Sequence, residues 1–213
     1  MSAIFPIRGE TVNKHERDSI RKYDSISKNY DETPEGHFTS KFKEKVLELC
    51  TVSNGDRVLD VGCGNGSLIA TIASKENVQA YGVDISPNMI EECRKKHDNI
   101  PFEVSNGEHL NFDDDSLDIV TICCALHHLS TPQNFFKEAQ RVLKQNGTLI
   151  VAEPWFPFGL RHFFDYVISP LLRAGDNKLF SHGRLKQLFL DNGFSLTDIY
   201  KKGFMQVLKA KKP

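Results

Sequence analysis

The sequence predicts an α/β protein, a parallel sheet covered by helices on both faces and closed by an antiparallel hairpin. Three observations predict it. Val58-Leu59-Asp60-Val61 is a short apolar run that enters the alternating glycines Gly62, Gly64 and Gly66, and helical spacing begins at Ser67. Strand-like and helix-like stretches then alternate as far as residue 152, the order of βαβ units. Two strand patterns, 194–200 and 204–210, flank only Lys201-Lys202-Gly203, and so short a connection forces antiparallel pairing.

Taken in order, residues 1–13 carry little pattern and read as a lead-in. Over 14–31 the chain is polar and helix-permissive, with Ile20, Tyr23, Ile26 and Tyr30 in one narrow apolar stripe. Thr33-Pro34-Glu35-Gly36 interrupts that helix, and 38–50 resumes it with Phe42, Val46, Leu47 and Leu49 inward. Asn54-Gly55-Asp56 is a turn before the first strand. The second strand, 78–83, ends at Asp84. Ser86 and Pro87 then open a helix, as N-cap and first helical residue, that runs to Lys96 with Met89, Ile90 and Cys93 inward.

Phe102-Glu103-Val104 is a third strand, followed by a loop over 105–112 and a solvated acidic turn, Asp113-Asp114-Asp115. The fourth strand spans 117–124. An amphipathic helix over 134–143 buries Phe135, Phe136, Ala139, Val142 and Leu143, and 144–147 turns the chain into a fifth strand, 148–152. Trp155, Phe156, Phe158, Phe163, Phe164 and Tyr166 then crowd together, with helical spacing over 160–172 limited by Pro170. A last helix over 181–192 is closed by Gly193.

A chain of 213 residues with 39% apolar and 26% charged residues fits one globular domain. A net charge of −1 carries no signature of a nucleic-acid or membrane partner, and Lys209, Lys211 and Lys212 read as a solvated end. The five cysteines show no CxxC spacing and are expected to be reduced, in the cytoplasm. No leader or membrane span is expected.

The glycine turn carries the chemistry. Glycine permits positive φ and lets a ligand approach the backbone with no Cβ in the way. The dinucleotide fingerprint is Gly-x-Gly-x-x-Gly, with pyrophosphate on the helix N-terminus. Here the spacing is Gly-x-Gly-x-Gly, and Asp60 stands two residues before the first glycine. A carboxylate there would repel pyrophosphate and suit a cation. Asp84, about twenty residues beyond the glycines, can accept both hydroxyls of a ribose. The end of the fourth strand belongs at the centre of the site, because the ligand crevice of an open α/β sheet lies outside its carboxyl ends. Strand alternation puts Cys123 and Cys124 on opposite faces, so no metal cluster is expected there with His127 and His128.

Residues 58–68 resemble the first motif of the class I S-adenosylmethionine (SAM)-dependent methyltransferases. Gly82-Val83-Asp84-Ile85-Ser86 is similar to the second, and the helix–glycine–strand unit of 134–152 to the third. Tyr30-Asp31 sits where members of the ubiquinone/menaquinone-biosynthesis type carry a Tyr-Asp pair that closes over the cofactor. The resemblance covers 14–210. It implies a Rossmann-like, doubly wound sheet of seven strands with the last antiparallel. It also implies the cofactor SAM, which carries an ammonium and a sulfonium and no phosphate. Asp60, Gly62, Cys63, Gly64, Asn65 and Gly66 would hold its methionine part, together with backbone at Cys123 and Cys124. Asp84 would hold the ribose, Ile85 and Met89 would flank the adenine, and Asn106 and Gly107 would meet it with Glu108 beside them. The family usually has aspartate at position 106; Asn106 still accepts through its carbonyl oxygen.

On this resemblance the single domain divides into a helical lid (1–50), a SAM-binding core (51–154), a helical cap (155–180) and a last helix with hairpin (181–213). The implied reaction is methyl transfer to a small, partly apolar acceptor. Candidate bases are His127, His128, Glu153, His162 and His182, with His128 favoured because it sits just past the fourth strand. Two other readings stand beside this one: a SAM-binding sensor or assembly protein that transfers nothing, and an NAD-linked oxidoreductase.

Overall fold

The computed structural model describes residues 13–157, 159–160 and 179–213. The elements are α1 (Lys14–Ile26), a 3-10 segment (Ser27–Glu32), α2 (Pro34–Leu49), β1 (Arg57–Val61), α3 (Ser67–Ala73) and β2 (Gln79–Asp84). Next come α4 (Pro87–Lys96), β3 (Phe102–Val104), β4 (Leu117–Cys123), a 3-10 turn (Leu126–His128) and α5 (Pro132–Val142). The described chain ends with β5 (Leu143–Pro154), α6 (His182–Asp191), β6 (Ser195–Lys202) and β7 (Met205–Lys211).

These strands form one seven-stranded sheet in the order β3-β2-β1-β4-β5-β7-β6. The first five pair in parallel, and β7 pairs antiparallel with both β5 and β6. Strand order reverses between β1 and β4, the switch point outside whose carboxyl ends ligands bind in such sheets. β1 is buried along almost its whole length because both faces are covered. On one face Leu59, Val61, Val120 and Ile122 pack with Phe135, Phe136 and Phe189 of α5 and α6. On the other, Val58, Ile119 and Ile150 pack with Phe42, Val46, Ile69 and Ile90 of α2, α3 and α4.

Several local expectations are corrected. The helix expected over 14–31 is α-helical only to Ile26, and Asn29 (φ −121°, ψ 25°) breaks the regular turn that follows. Thr33-Pro34-Glu35-Gly36 interrupts one helix by starting another: the Thr33 hydroxyl accepts from the Gly36 amide at 3.0 Å, and Pro34 takes the first turn of α2. The acidic turn is paired as well as solvated, Asp114 with Arg141 and Asp115 with Lys212, each at 2.7 Å. β5 starts at Leu143, and the left-handed residue of its opening turn is Asn146 (φ 62°) rather than Gly147. The helix expected over 160–172, save Leu160, lies outside the described residues, as do Phe158, His162, Phe163, Phe164 and Tyr166. Among the described residues no helix is long and apolar enough to cross a membrane.

Candidate functional site

A cavity opens at the carboxyl ends of β1, β2 and β4, the place where ligands bind in open α/β sheets. The glycine turn forms part of its wall. Gly62 has φ +67°, and a Cβ added there would stand 2.3 Å from the Cβ of Ala125. Gly64 has φ +54°, and a Cβ added there would meet nothing within 4 Å. The first glycine is therefore demanded by packing, the second by backbone conformation beside open space.

The Gly64 amide donates to Asp84 Oδ2 at 2.8 Å, and the Ser86 amide donates to Oδ1 at 2.9 Å. Burial raises the Asp84 carboxyl above the ordinary carboxylate range; these two amides oppose the rise, and nearby Asp24 adds to it. Asp60 lies behind the wall. It accepts from the Thr121 hydroxyl at 2.7 Å, and burial pushes its carboxyl up to about 7.

Among the described residues, those lining the cavity include Glu16, Asp84 and His128, and neither lysine nor arginine. Of the residues singled out from sequence, Tyr30, Gly62, Gly64, Asp84, Ile85, Asn106, Cys123, Cys124 and His128 line it. Asp60, Cys63, Asn65, Gly66, Met89, Gly107 and Glu108 do not. Cys63 and Met89 are fully buried, and the Cys93 thiol bonds the Gly64 carbonyl oxygen at 3.0 Å. Gly107 packs so closely on β1 that a Cβ would lie 2.6 Å from Val61 Cγ1. Glu108 accepts from the Thr131 amide at 2.8 Å, just before α5.

One sequence argument fails. Cys124 adopts φ +53°, which breaks strand alternation, so Cys123 and Cys124 both reach the cavity instead of opposite faces. A non-glycine residue in that region is held there at a cost of about 1–3 kcal/mol.

The N-terminal elements supply cavity residues beyond those the sequence singled out for the site. Glu16, Ser19 and Tyr23 of α1 line the cavity beside Tyr30. The Asp24 carboxylate accepts from the Ser86 hydroxyl at 2.6 Å and the Asn88 amide at 3.1 Å. The Asn65 side-chain amide donates to Asp31 Oδ1 at 2.6 Å, and Asn13 donates to the Ser130 hydroxyl. The Tyr23 hydroxyl meets His128 Nε2 at 2.9 Å. The Tyr30 hydroxyl meets that of Thr39 at 3.1 Å, and burial pushes its ionisation well above the ordinary range.

The candidate bases separate. His127 Nδ1 meets Glu153 Oε2 at 2.7 Å, and Glu153 Oε1 accepts from the Leu126 amide at 3.0 Å. His182 meets Gln206 at 3.2 Å, and His162 lies outside the described residues. His128 alone of the described four lines the cavity.

The family model described as a methyltransferase domain matches residues 52–202. The chain belongs to the methyltransferase domain family. Among this methyltransferase-family chain's relatives, demethylmenaquinone methyltransferase of Tropheryma whipplei (strain Twist) is 31% identical over 150 residues, 66% of this chain and 60% of that one. The chain thus spans about 60% of the length of that relative. A solved chain from the complex between the Haloferax volcanii Trm112 methyltransferase activator and a methyltransferase superposes with a TM-score of 0.79. It is 19% identical, with 90% of this chain and 98% of that one covered. Geranyl diphosphate C-methyltransferase of Streptomyces coelicolor A3(2), solved with Mg²⁺, geranyl diphosphate and S-adenosyl-L-homocysteine, gives 0.76 at 12% identity, covering 95% and 100%. At these identities both are likenesses of fold.

Proposed function

We propose that this chain binds SAM in the cavity beside the glycine turn and moves its methyl group to a small, partly apolar acceptor. The observation that carries the reading is the charge of the lining: among the described residues, two carboxylates and no lysine or arginine, with a third buried acid, Asp60, behind the wall. A dinucleotide would bring a pyrophosphate with no cation to meet it, whereas SAM brings two cationic groups and no phosphate. The residues fit such a ligand at a second point, because Gly64 leaves open the space a Cβ would take.

In this reading Asp84 accepts from the ribose hydroxyls, Ile85 and Asn106 meet the adenine, and the glycine turn with the end of β4 holds the methionine part. The described residues 13–49 serve as the lid in this reading. SAM, when bound, supplies a methyl group on a sulfonium, a leaving group that needs no proton. Placement is then the chain's main contribution, and orientation alone is worth ~7–11 kcal/mol. Near-neutral net charge supports an acceptor other than nucleic acid, and the five free cysteines support a reducing, cytoplasmic setting.

Calorimetric titration with SAM, S-adenosylhomocysteine and NAD, followed by incubation of methyl-labelled SAM with a metabolite extract, tests the reading. Saturable binding of the first two, none of NAD, and label in a small molecule are expected. Binding of NAD in their place would make the chain an oxidoreductase. SAM binding with no labelled product from any extract would make it a sensor.

A further inference from the structure

Cys123 and Cys124 are neighbours in sequence, and in a regular strand their thiols would stand on opposite faces. The φ of +53° at Cys124 turns the chain so that both line the cavity of the glycine turn. Cys123 is half-buried, and Cys124 is 8% exposed. Burial, together with the Cys123 side chain against it, holds the Cys124 thiol well above the ordinary range. The other three thiols are shut in. Cys63 and Cys93 lie 4.0 and 3.0 Å from the Gly64 carbonyl oxygen, both are buried, and neither lines the cavity. Cys50 is buried in the core beside Phe42 and Val46.

We propose that Cys123 and Cys124 are an oxidative modification site, at which a peroxide closes a reversible disulfide and shuts the cofactor cavity. The shutting of the cavity rests on the reading that it holds SAM; the chemistry of the two thiols does not. Cys123, the more open of the pair, attacks as thiolate on one peroxide oxygen. The O–O bond breaks, the sulfur is oxidised to a sulfenic acid, and the other oxygen leaves as water. The Cys124 sulfur then attacks the sulfenic sulfur. The S–S bond forms, and hydroxide leaves with the thiol proton as a second water. Two thiols and one hydrogen peroxide give one disulfide and two waters.

Strain makes the bond reversible. Adjacent Cα atoms are about 3.8 Å apart across a trans peptide, short of the ~4.4–6.8 Å that disulfides prefer. The peptide between Cys123 and Cys124 must twist to close the ring, and a strained disulfide is readily reduced. The same twist moves the end of β4. The Cys124 amide donates to the Ala152 carbonyl oxygen at 2.8 Å, a bond that fixes this end in the sheet. The backbone assigned to the methionine part of SAM therefore shifts. Bound cofactor covers both thiols, so the empty chain is the form that oxidises. Transient bonds of this kind are the disulfides that a reducing compartment allows.

The test treats the reduced full chain with hydrogen peroxide, alkylates it after unfolding and digests it with trypsin. Cleavage after Lys96 and Lys137 releases residues 97–137, which contain Cys123 and Cys124 and no other cysteine. This peptide should be two hydrogens lighter and unalkylated, while Cys63 and Cys93 are alkylated. Dithiothreitol should reverse the change, and S-adenosylhomocysteine added before peroxide should prevent it. Calorimetry should show S-adenosylhomocysteine binding at least about tenfold more weakly to the oxidised chain, the worth of one or two hydrogen bonds. In the double variant Cys123→Ser/Cys124→Ser the same treatment should change affinity less than about twofold. The proposal is overturned if peptide 97–137 gains no internal bond, if Cys63 pairs with Cys93 in its place, or if oxidised wild type binds as tightly as reduced. It is overturned equally if peroxide weakens the double variant as much as wild type. Failure of the reduced chain to bind S-adenosylhomocysteine overturns the cofactor reading instead, and the peptide mass still decides the fate of the two thiols.

Discussion

Residues 62–66 and residues 13–39 border the same cavity, and different forces hold them. The glycine turn is held by backbone: three glycines at positive φ, one pressed against Ala125, and short bonds from Gly64 to Asp84 and Cys93. The N-terminal segment is held by side-chain bonds to distant loops, Asp24 to Ser86 and Asn88, Asp31 to Asn65, and Tyr23 to His128. Backbone in a strained, packed turn cannot shift without repacking its neighbours. Side-chain bonds can be exchanged for water at a net cost of about 0.5–1.5 kcal/mol each. One side of the cavity is a fixed cradle, and the other can let go.

The strongest way to break this contrast is at Gly62. Gly62→Val adds a clash to a disallowed backbone and should cost up to about 6 kcal/mol, enough to leave the chain unfolded. Gly64→Val meets open space and bears only the strain of its positive φ, about 1–3 kcal/mol, so it should fold, less stable than wild type, and lose S-adenosylhomocysteine binding. Denaturant melts with calorimetry on both variants check this, and equal destabilisation would mean that Ala125 does not hold the turn.

Asp60 comes next. Its carboxyl is held near 7 in the fold, against about 3.9 when unfolded, so the native state resists its ionisation. The Asp60 contribution to stability should therefore fall as pH rises from about 4 to about 7. Asp60→Asn should be more stable above pH 7, by at most ~4 kcal/mol, and the difference should vanish below about pH 4. Parallel melts of the two proteins across that range test the sign.

Asp84→Ala removes the acceptor proposed for the ribose. The loss of a charged acceptor is worth about 1.5–3 kcal/mol, so S-adenosylhomocysteine should bind about 10- to 100-fold more weakly. Unchanged affinity would remove Asp84 from the cofactor site.

The smallest effect is expected on the N-terminal side. Asp24→Ala should raise the dissociation rate of S-adenosylhomocysteine by about fivefold, the value of its two hydrogen bonds at about 0.5 kcal/mol each, and barely move the melting temperature. Amide exchange across 13–39 should slow when that ligand is added, while the β6–β7 hairpin stays the same. Equal protection with and without ligand would make this segment as fixed as the glycine turn.

What could be read from the chain alone was local. Helix and strand periodicity, the glycine spacing, Asp84 at a strand tip and Ser86-Pro87 at a helix start all depend on neighbours a few residues away, and period and turn chemistry encode such neighbours directly. The short link between the last two strands was enough to make them antiparallel. Tertiary structure decided the rest. Asp24 finds Ser86 62 residues away, Tyr23 finds His128 105 residues away, and Glu153, another candidate in sequence, is drawn off by His127. Strand alternation put Cys123 and Cys124 on opposite faces, and it fails because the positive φ of Cys124 is unusual for a residue with a Cβ and no local pattern announces it. Periodicity tells which side of an element is apolar. Which polar groups meet across a cavity depends on how the elements pack, and that is settled only when the whole sheet is assembled.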